Sequence, residues 1–351
     1  MRQVDGEGGM MALAEQREGG KLGVFALKRL WSRWLGDQAV AAEHAADEWR
    51  TTQIVFSGLG LGLEPTMRHV LGQRPDFAAF EDWIIANNGG PFAPERIARL
   101  NAALSGAAVP PATAARLHAI EAAPPVLDAD DLAHWEHQGW VRLRGAISPQ
   151  AAQASAEVVW RTQGMSPDDP AGWGRFGPHQ QCVFVQMFRH PVLDANRHSA
   201  RIHKAFAQLW GTADLWPSID RIGFNPPESS GLPFPGPGIH WDVSLVQPIP
   251  LGIQGVIYLT DTDPDQGAFA LVPGMQRTIG DWLQTVPAGR EPRQHAVDTL
   301  TMTPIGGLAG DMVLWHHALA HGPTPNRGSR PRLVQYLKFF PADFGICPKW
   351  L

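Results

Sequence analysis

The sequence IHWDVSL, residues 239–245, places two side chains that commonly bind metals among apolar neighbours. Successive side chains of an extended strand point to opposite faces, so we expect His240 and Asp242 to project together while Trp241 packs on the other side. An imidazole nitrogen and a carboxylate oxygen, joined by a third ligand, form the arrangement of two histidines and one carboxylate that leaves positions open on iron. The stretch therefore predicts two ligands of a metal site.

The third ligand is expected in the sequence GDMVLWHHALAHG, residues 310–322, which predicts an apolar strand running into a turn that begins at His321. We select His321 as the ligand. His317 shares the strand parity of His321, so alternation by itself leaves His317 open as an alternative. We assign His316 to the surroundings of the site, where hydrogen bonds orient metal ligands.

An arginine stands at the head of the strand-like sequence LVQYL, residues 333–337. The guanidinium of Arg332 is always charged and suits the bidentate capture of a small carboxylate. Arg327 and Arg330 compete for this role. Arg330 and Arg332 share one face of a strand, so geometry alone does not decide between them.

These segments carry a resemblance to a known family. They are similar to the motifs of the phytanoyl-CoA dioxygenase family of Fe(II)/2-oxoglutarate oxygenases, and the resemblance runs from about residue 128 onwards. Residues 128–145 resemble the first helix and strand of the family, and residues 255–274 resemble its central strand pair and turn. The other matching residues are His240, Asp242, Gly310-Asp311, His316, His321-Gly322, Asn326-Arg327 and Arg330-Pro331-Arg332.

The resemblance implies a ligand set and a chemistry. It implies that His240, Asp242 and His321 hold Fe(II), that 2-oxoglutarate binds the metal while Arg332 pairs with its distal carboxylate, and that O2 takes the remaining position. The spacing in the family selects His321 over His317, and Arg332 over the other two arginines. The implied reaction releases succinate and CO2 and usually hydroxylates a C–H bond. Asp242 argues against a halogenase, in which a small residue at that position makes room for halide.

Two polar residues of the central strand are further candidates. Gln254 and Tyr258 lie on one face of this strand and are predicted to bind the cosubstrate or substrate; the alternative is that they are ordinary polar residues lining the sheet. The family often has an aromatic residue where Val256 stands, and Ser-His where this chain has Met275-Gln276. The identity of the substrate therefore does not follow from the family's name.

Composition narrows the class of protein. The chain has 351 residues, of which 44% are hydrophobic and 18% charged, as in an ordinary globular protein. Its net charge of -5 gives no electrostatic reason to expect nucleic acid as a partner. Cys182 and Cys347 predict no disulfide framework. We find neither a secretion signal nor a run of membrane-spanning length, so we expect a cytoplasmic protein acting on a small molecule. Its oligomeric state stays open.

The pattern of apolar residues divides the chain into three parts. We predict that residues 1–22 are disordered, that residues 23–125 form a helical N-terminal region, and that residues 126–351 form the oxygenase domain. In the last part, many short strands without regular β-α alternation indicate a sandwich or barrel, and the resemblance narrows this to a double-stranded β-helix, or jelly roll. The helical region is either a lid or dimerisation element or, as we prefer, a layer that supports the domain.

Local signals predict individual boundaries. Asp76 to Asn87 predicts a helix, Asp128 is expected to cap a helix that ends at Gln138, and Ser148-Pro149 to begin one that ends near Gln163. The glycines of residues 58–62 predict a flexible connector. The Pro- and Gly-rich residues 225–238 form a loop that either shapes a substrate entrance or only connects two elements at the surface.

Two other classes of function stay open. A metal-dependent jelly-roll isomerase or hydrolase would use the same three ligands without 2-oxoglutarate, and it would have no need for Arg332 at that spacing. A non-catalytic binding module would keep the fold without turnover. The intact set of predicted ligands argues against the binding module.

Overall fold

The computed structural model of the protein describes residues 13–36, 40–229, 231–347 and 349–351. The chain forms two compact units, Met1–Arg116 and Leu117–Leu351. Our prediction of disorder concerns residues 1–22, of which residues 1–12 lie outside the described residues. Within residues 13–22, the backbone N–H groups of Lys21 and Leu22 donate to the Glu81 carboxylate at 3.1 and 2.9 Å. The domain boundary at residue 126 stays a prediction.

Helices build the first unit, as the pattern of apolar residues predicts. They are α1 (Leu27–Leu35), α2 (Ala45–Leu59), α3 (Leu63–Gln73), α4 (Phe77–Asn87), α5 (Pro94–Ser105) and α6 (Pro111–Ala122), which ends in the second unit. The predicted start of α4 is confirmed, because the Asp76 side chain accepts a hydrogen bond from the Ala79 N–H at 2.8 Å. None of the helices in the described part of the chain is long and apolar enough to cross a membrane.

The glycines of residues 58–62 do not form the flexible connector that their spacing predicts. Helix α2 continues through Gly58 and ends at Leu59, and Gly60 takes the left-handed conformation that closes a helix. A Cβ on Gly58 would lie 2.7 Å from a methyl carbon of Leu100. This glycine therefore serves the close approach of α2 and α5, which is a packing role that local sequence does not show.

The second unit combines helices with short strands. Its helices are α7 (Ala129–Gln138), α8 (Pro149–Gln163), α9 (Pro191–Arg197), α10 (Ala200–Trp210), α11 (Met275–Gln284) and α12 (Pro292–Thr299). Its strands are β1 (Trp140–Leu143), β2 (Gln180–Gln181), β3 (Phe184–Val185), β4 (Leu215–Pro217), β5 (Ile222–Asn225), β6 (Ile253–Tyr258), β7 (Phe269–Leu271), β8 (Thr303–Ile305), β9 (Met312–His316), β10 (His321–Pro323), β11 (Arg332–Leu337) and β12 (Phe339–Pro341).

The predicted caps of α7 and α8 are confirmed. Asp128 accepts from the Asp131 N–H at 2.9 Å while the Asp131 carboxylate accepts from the Asp128 N–H, which completes a capping box. Ser148 caps α8, and Pro149 takes the first helical position, where its missing N–H costs nothing. Both helices lead into or out of β1, and they bring that strand to the edge of the main sheet.

All strand pairings are antiparallel, as expected for a chain without regular β-α alternation. The main sheet has the strand order β1-β9-β6-β11-β5-β3-β2, and a smaller sheet has the order β10-β7-β8. Strands β12 and β4 form a separate pair. Apart from the β2–β3 hairpin, neighbours in the main sheet are far apart in sequence, so long-range contacts hold most of the sheet together.

Both faces of the main sheet are buried, and alternation along each strand assigns its residues to one face or the other. On β6, Ile253 and Ile257 join an apolar cluster with residues of α8 and α10. Val256 and Tyr258 face the opposite way and join a second cluster with residues of β7 and β8. We call the face that carries Val256 and Tyr258 the inner face, because the candidate site lies on it.

A buried amide pair connects the helical side of the sheet to β11. Asn196, at the end of α9, donates to Gln335 Oε1 at 2.8 Å and to Ser155 Oγ at 2.9 Å. Gln335 in turn donates to the Leu193 carbonyl oxygen at 3.0 Å, and both amide side chains are almost fully buried. These bonds fix β11 from its outer face.

We expect Asn196→Ala to lower the free energy of unfolding by about 2 kcal/mol, because it leaves the buried Gln335 Oε1 without its donor. Urea unfolding followed by tryptophan fluorescence measures the change. The control is Gln153→Ala on the exposed side of α8. If Asn196→Ala changed the unfolding free energy no more than this control, the amide pair would contribute nothing to holding β11.

Candidate active site

The candidate site is organised by a backbone bridge between His240 and His321. The His240 N–H donates to the His321 carbonyl oxygen at 2.9 Å, and the His321 N–H donates to the His240 carbonyl oxygen at 3.0 Å. Residues that exchange both hydrogen bonds in an antiparallel pair carry their side chains on the same side. The two imidazole rings accordingly lie with their centroids 4.7 Å apart.

The local structure at these residues differs from the two strands that we predicted. Residues 239–245 form no continuous strand; His240 makes only the isolated bridge, and Asp242 lies on a bend. In the second segment the turn occupies residues 317–319, before His321, so that His321 begins β10 in the smaller sheet. Alternation within one strand therefore does not relate His317 to His321, because a turn separates them.

The bend brings the Asp242 carboxylate to both rings. Asp242 Oδ1 lies 3.7 Å from His240 Nε2, and Asp242 Oδ2 lies 3.5 Å from His321 Nε2. One ligand atom from each of the three residues falls within 4.8 Å of the others. The structure thus brings together all three residues that we predicted as metal ligands, although His321 is distant in sequence from the other two.

Hydrogen bonds fix the tautomer of both histidines. His240 Nδ1 lies 2.8 Å from the Gly238 carbonyl oxygen, and His321 Nδ1 lies 3.0 Å from the Leu319 carbonyl oxygen. A carbonyl oxygen only accepts, so each Nδ1 carries a proton and each Nε2 is the ring nitrogen turned toward Asp242. Three possible ligand atoms thus face one another, and a bound cation would stabilise this arrangement.

The protonation states suit metal binding. Burial lowers the pKa of the His240 imidazole, and the neighbouring His321 lowers it further. Burial alone would raise the pKa of Asp242, but hydrogen bonding from His321 and Gln254 outweighs burial and brings this pKa well below its ordinary value. Near neutral pH the site therefore combines a neutral imidazole at His240 with an ionised carboxylate, which are the forms that coordinate metals.

A glycine after His321 allows this packing. A Cβ on Gly322 would lie 2.8 Å from the Gly238 carbonyl oxygen, which is too close for a carbon and an oxygen that are not bonded. That carbonyl oxygen is also the acceptor of His240 Nδ1. The His-Gly pair at residues 321–322 thus has a steric reason, since any larger residue would displace the group that orients the first histidine.

A cavity opens at the three candidate ligands. Besides these ligands, its wall consists of Phe184, Asp220, Arg221, Gln254, Gly255, Phe269, Trp315, Gly322, Pro323, Tyr336, Leu337 and Lys338. Gln254 donates from Nε2 to Asp242 Oδ2 at 2.8 Å. Phe269 and Trp315 pack against each other with ring centroids 4.2 Å apart, and Trp315 stands 5.3 Å from the His321 ring. Apolar rings thus shield one side of the candidate ligand set from water.

Arg332 is fully buried, and none of its three guanidinium nitrogens has a hydrogen-bond partner within the described residues. Arg332 belongs to the inner face, like Val334 and Tyr336 of the same strand, but it does not line the cavity. The competing residues Arg327 and Arg330 are exposed and lie outside β11. Of these three arginines, only Arg332 is a buried cation that lacks a counter-ion.

Tyr258 lies deeper on the inner face than Gln254. Its hydroxyl donates to the Ile305 carbonyl oxygen and accepts from the Phe269 N–H at 3.1 Å. Burial raises the pKa of Tyr258 to about 12, against the opposing effect of the positive charge on Arg332. The structure thus places Gln254 in the cavity wall and Tyr258 outside it, close enough to Arg332 to interact electrostatically.

The other two histidines point to different partners. His316 Nδ1 accepts from the Ala318 N–H at 3.0 Å, and a ring nitrogen of His317 bonds to the Pro250 carbonyl oxygen. Burial lowers the pKa of each to about 4. Neither ring lines the cavity, and neither joins the three-residue cluster.

Sequence reasoning missed most of the cavity wall. Tyr336 and Lys338 stand four and six residues after Arg332. Strand alternation puts all three on one face, and this signal could have identified them. No comparable signal exists for Phe184 and Arg221, because they reach the cavity through the pairing of β3 and β5, which are distant in sequence from the ligands.

Comparison with known proteins gives one family and several distant relatives. Residues 135–334 match the model of the phytanoyl-CoA dioxygenase (PhyH) family. A protein of Dictyostelium discoideum described as a phytanoyl-CoA dioxygenase is 25% identical over 99 residues, which are 26% of this chain and 28% of that protein.

The solved structures that match this chain include three of low sequence identity. The 2-oxoglutarate-dependent carbocyclase SnoK from nogalamycin biosynthesis is 19% identical with a TM-score of 0.46, covering 64% of this chain and 90% of that chain. AviO1 from Streptomyces viridochromogenes Tue57 is 18% identical with a TM-score of 0.45, covering 63% and 99%. HygX from Streptomyces hygroscopicus, crystallised with nickel and 2-oxoglutarate, is 15% identical with a TM-score of 0.44, covering 62% and 88%.

The assignment to a family rests on the sequence match. The matched residues include all three candidate ligands and Arg332. It spans more than half of the 351 residues. This chain belongs to the phytanoyl-CoA dioxygenase (PhyH) family.

Proposed function

We propose that this protein is an Fe(II)- and 2-oxoglutarate-dependent dioxygenase that hydroxylates a C–H bond of a small organic substrate. The observation that carries this proposal is Arg332, a fully buried guanidinium without a counter-ion among the described residues, on the sheet face where His240, Asp242 and His321 converge. An unpaired buried charge costs several kcal/mol, so the site gains strongly from an anionic ligand.

His240, Asp242 and His321 are the residues that would hold Fe(II). Their donor set, two imidazole nitrogens and one carboxylate, is the set typical of non-haem iron oxygenases. When bound, Fe(II) and 2-oxoglutarate activate O2, release succinate and CO2, and supply the oxidising equivalent for the substrate C–H bond. The chain's own contribution is to fix the open coordination positions and to exclude water with Phe269 and Trp315.

Arg332 would take the distal carboxylate of 2-oxoglutarate. Its nitrogens have no partner among the residues that the structure describes, so the ligand would not have to displace one of them. A bidentate, charge-assisted pair in a buried setting gives both affinity and a fixed orientation. Tyr258, whose hydroxyl is held between Ile305 and Phe269, would form part of the polar surroundings of that carboxylate.

Gln254 would act through Asp242. Its amide already donates to Asp242 Oδ2, so it holds the carboxylate in one rotamer and leaves Oδ1 on the side of His240. The Gln254 carbonyl oxygen Oε1 has no partner in the described part of the chain, and it would be the group that contacts the cosubstrate or substrate.

We further propose that the two facing sheets of the second unit form a double-stranded β-helix, or jelly roll, with the oxygenase domain at residues 126–351. The inner faces of the seven-stranded and three-stranded sheets share one apolar cluster, which supports this architecture. Residues 23–125 would then be a helical region that precedes the catalytic domain. An isomerase or hydrolase with the same ligands would have no need for the unpaired Arg332.

Replacing Asp242 by Ala should abolish 2-oxoglutarate-dependent succinate formation and weaken metal binding by at least about 100-fold, because it removes the only anionic ligand. Anaerobic titration with Fe(II) or Ni(II) measures the affinity, and succinate is measured separately under air. Asp281→Ala, at an exposed carboxylate of α11, is the control. Full succinate formation by Asp242→Ala would refute the assignment of this ligand.

Replacing Arg332 by Ala should raise the dissociation constant of 2-oxoglutarate by about 10- to 100-fold, since a charged hydrogen-bonded pair contributes about 1.5–3 kcal/mol. Calorimetric titration of the Ni(II)-loaded protein measures it directly. Arg330→Ala and Arg327→Ala serve as matched controls at exposed positions. If one of these controls lost 2-oxoglutarate and Arg332→Ala kept it, the carboxylate would bind elsewhere.

Replacing Gly322 by Ala should weaken metal binding by about 10- to 100-fold while the fold is kept, because the new methyl group displaces the Gly238 carbonyl that orients His240. Metal titration is the measurement, and circular dichroism checks the fold. Gly177→Ala is the control, because a Cβ there meets no atom within 4 Å. Equal metal affinities for the two variants would show that the Gly238 carbonyl does not position His240.

A further inference from the structure

Lys338 lies in the cavity wall at the end of β11 opposite to Arg332. Alternation puts Arg332, Val334, Tyr336 and Lys338 on the inner face of the same extended segment. Two hydrogen bonds with Ser218 hold the backbone of Lys338: its carbonyl accepts from the Ser218 N–H at 2.8 Å, and its N–H donates to Ser218 Oγ at 3.0 Å. These bonds fix the backbone from which the Lys338 side chain extends into the cavity wall.

The register of the sheet places Lys338 close to the candidate metal ligands. Tyr336 pairs with Val256 and Leu337 pairs with Gly255, so the next step of the same register sets Lys338 opposite Gln254. Neighbouring strands lie about 5 Å apart. Gln254 contacts Asp242 directly, so Lys338 lies one side chain away from the ligand set.

The charge of Lys338 is not neutralised by the protein. Its ammonium group makes no hydrogen bond or ion pair with the residues that the structure describes. Near Lys338 the cavity wall carries two further charges, those of Asp220 and Arg221, and these two cancel. Asp220 Oδ1 lies 3.7 Å from Arg221 Nε and also accepts from the Arg221 backbone N–H at 2.8 Å. This part of the cavity therefore carries a net positive charge that comes from Lys338.

Aromatic side chains flank this charge. Phe184 and Tyr336 lie with ring centroids 5.5 Å apart, and both line the cavity. The Arg221 guanidinium stands 4.9 Å from the centre of the Phe184 ring. The Asp220 carbonyl oxygen accepts from the buried Arg197 at 2.7 Å, which anchors the segment that carries Arg221. The wall thus combines a fixed apolar surface with one unpaired cation.

Arg332 and Lys338 are too far apart to bind one small anion. Arg332 and Lys338 are six residues apart on an extended segment, which corresponds to about 20 Å. A five-carbon dicarboxylate cannot reach both. If Arg332 takes 2-oxoglutarate, as proposed above, then Lys338 is left for a second molecule.

We propose that the substrate of this site is a small organic anion whose carboxylate or phosphate group pairs with Lys338 and whose apolar body packs against the Phe184–Tyr336 pair. This inference rests on the proposed function, because the oxidised C–H bond would lie toward His240 and Asp242. Lys338 is a binding residue in this proposal and takes no part in the chemical step.

The test uses the full chain loaded with Ni(II) and 2-oxoglutarate, which holds the cosubstrate position without turnover. The probes are 4-phenylbutyrate, 3-phenylpropyl phosphate and the neutral 4-phenylbutanamide, each titrated by calorimetry. We expect at least one of the two anionic probes to bind about tenfold more tightly than the amide. The stronger of the two anions identifies a carboxylate or a phosphate as the preferred group.

Variants assign the preference to its residue. Lys338→Met should remove the preference for the anion, Lys338→Arg should retain it, and Lys349→Met, at an exposed lysine outside the cavity wall, should leave it unchanged. The inference is overturned if anion and amide bind equally, if the preference survives in Lys338→Met, or if no probe binds at millimolar concentration.

The same titrations separate this inference from the proposed function. Binding of 2-oxoglutarate to the Ni(II)-loaded wild type is measured first and depends on Arg332. If 2-oxoglutarate fails to bind, the proposed function fails, and the probes are then titrated into the Ni(II)-loaded protein alone. If 2-oxoglutarate binds and the anion preference is missing, only the role of Lys338 is wrong.

Discussion

The two backbone hydrogen bonds between His240 and His321 are the constraint on which the candidate site depends. Among the described residues, they form the backbone bridge between the loop that carries the first two candidate ligands and the strand that carries the third. On the side opposite to the ligands, the Trp241 indole donates to the Ala318 carbonyl oxygen at 2.9 Å and so anchors the loop a second time. A bend that would otherwise sample many conformations is thus held in one.

This bridge in turn requires the smaller sheet and a close approach of backbones. Strand β10 pairs with β7 in the register His321 to Leu271, which fixes the position of His321 relative to Phe269 and to the inner face. Gly322 lets the Gly238 carbonyl come close enough to orient His240. The donor atoms are therefore positioned by backbone groups, whose positions change little when side chains relax, and this suits a site that has to keep coordination positions open.

Strand β11 connects the stability of the domain to the proposed chemistry. On its outer face, the Gln335 side-chain amide has hydrogen-bond partners in Asn196 and the Leu193 carbonyl oxygen. On the inner face, the guanidinium of the buried Arg332 and the ammonium group of Lys338, just after the strand, have no hydrogen-bond partner among the described residues. Burying an unpaired guanidinium costs stability, and the well-packed outer face offsets that cost. The polar groups left unpaired lie where ligands are proposed to bind, as expected when function and stability compete.

Short-range patterns in the sequence determined several features on their own. The presence of α4, the starts of α7 and α8, the helical first region and the absence of regular β-α alternation all followed from residues a few positions apart, because capping and periodicity are local interactions. The residue types of the candidate ligands were also evident from sequence, and the resemblance gave their spacing.

Only the tertiary structure decided how these residues are arranged. It put a turn where a strand was predicted before His321, it placed Asp242 on a bend, and it distinguished the buried Arg332 from the exposed Arg327 and Arg330. It also brought Phe184 and Arg221 to the cavity. Pairing between strands joins residues that are distant in sequence, and burial depends on what covers a side chain. Neither property is encoded in the neighbours of a residue, so both require the folded chain.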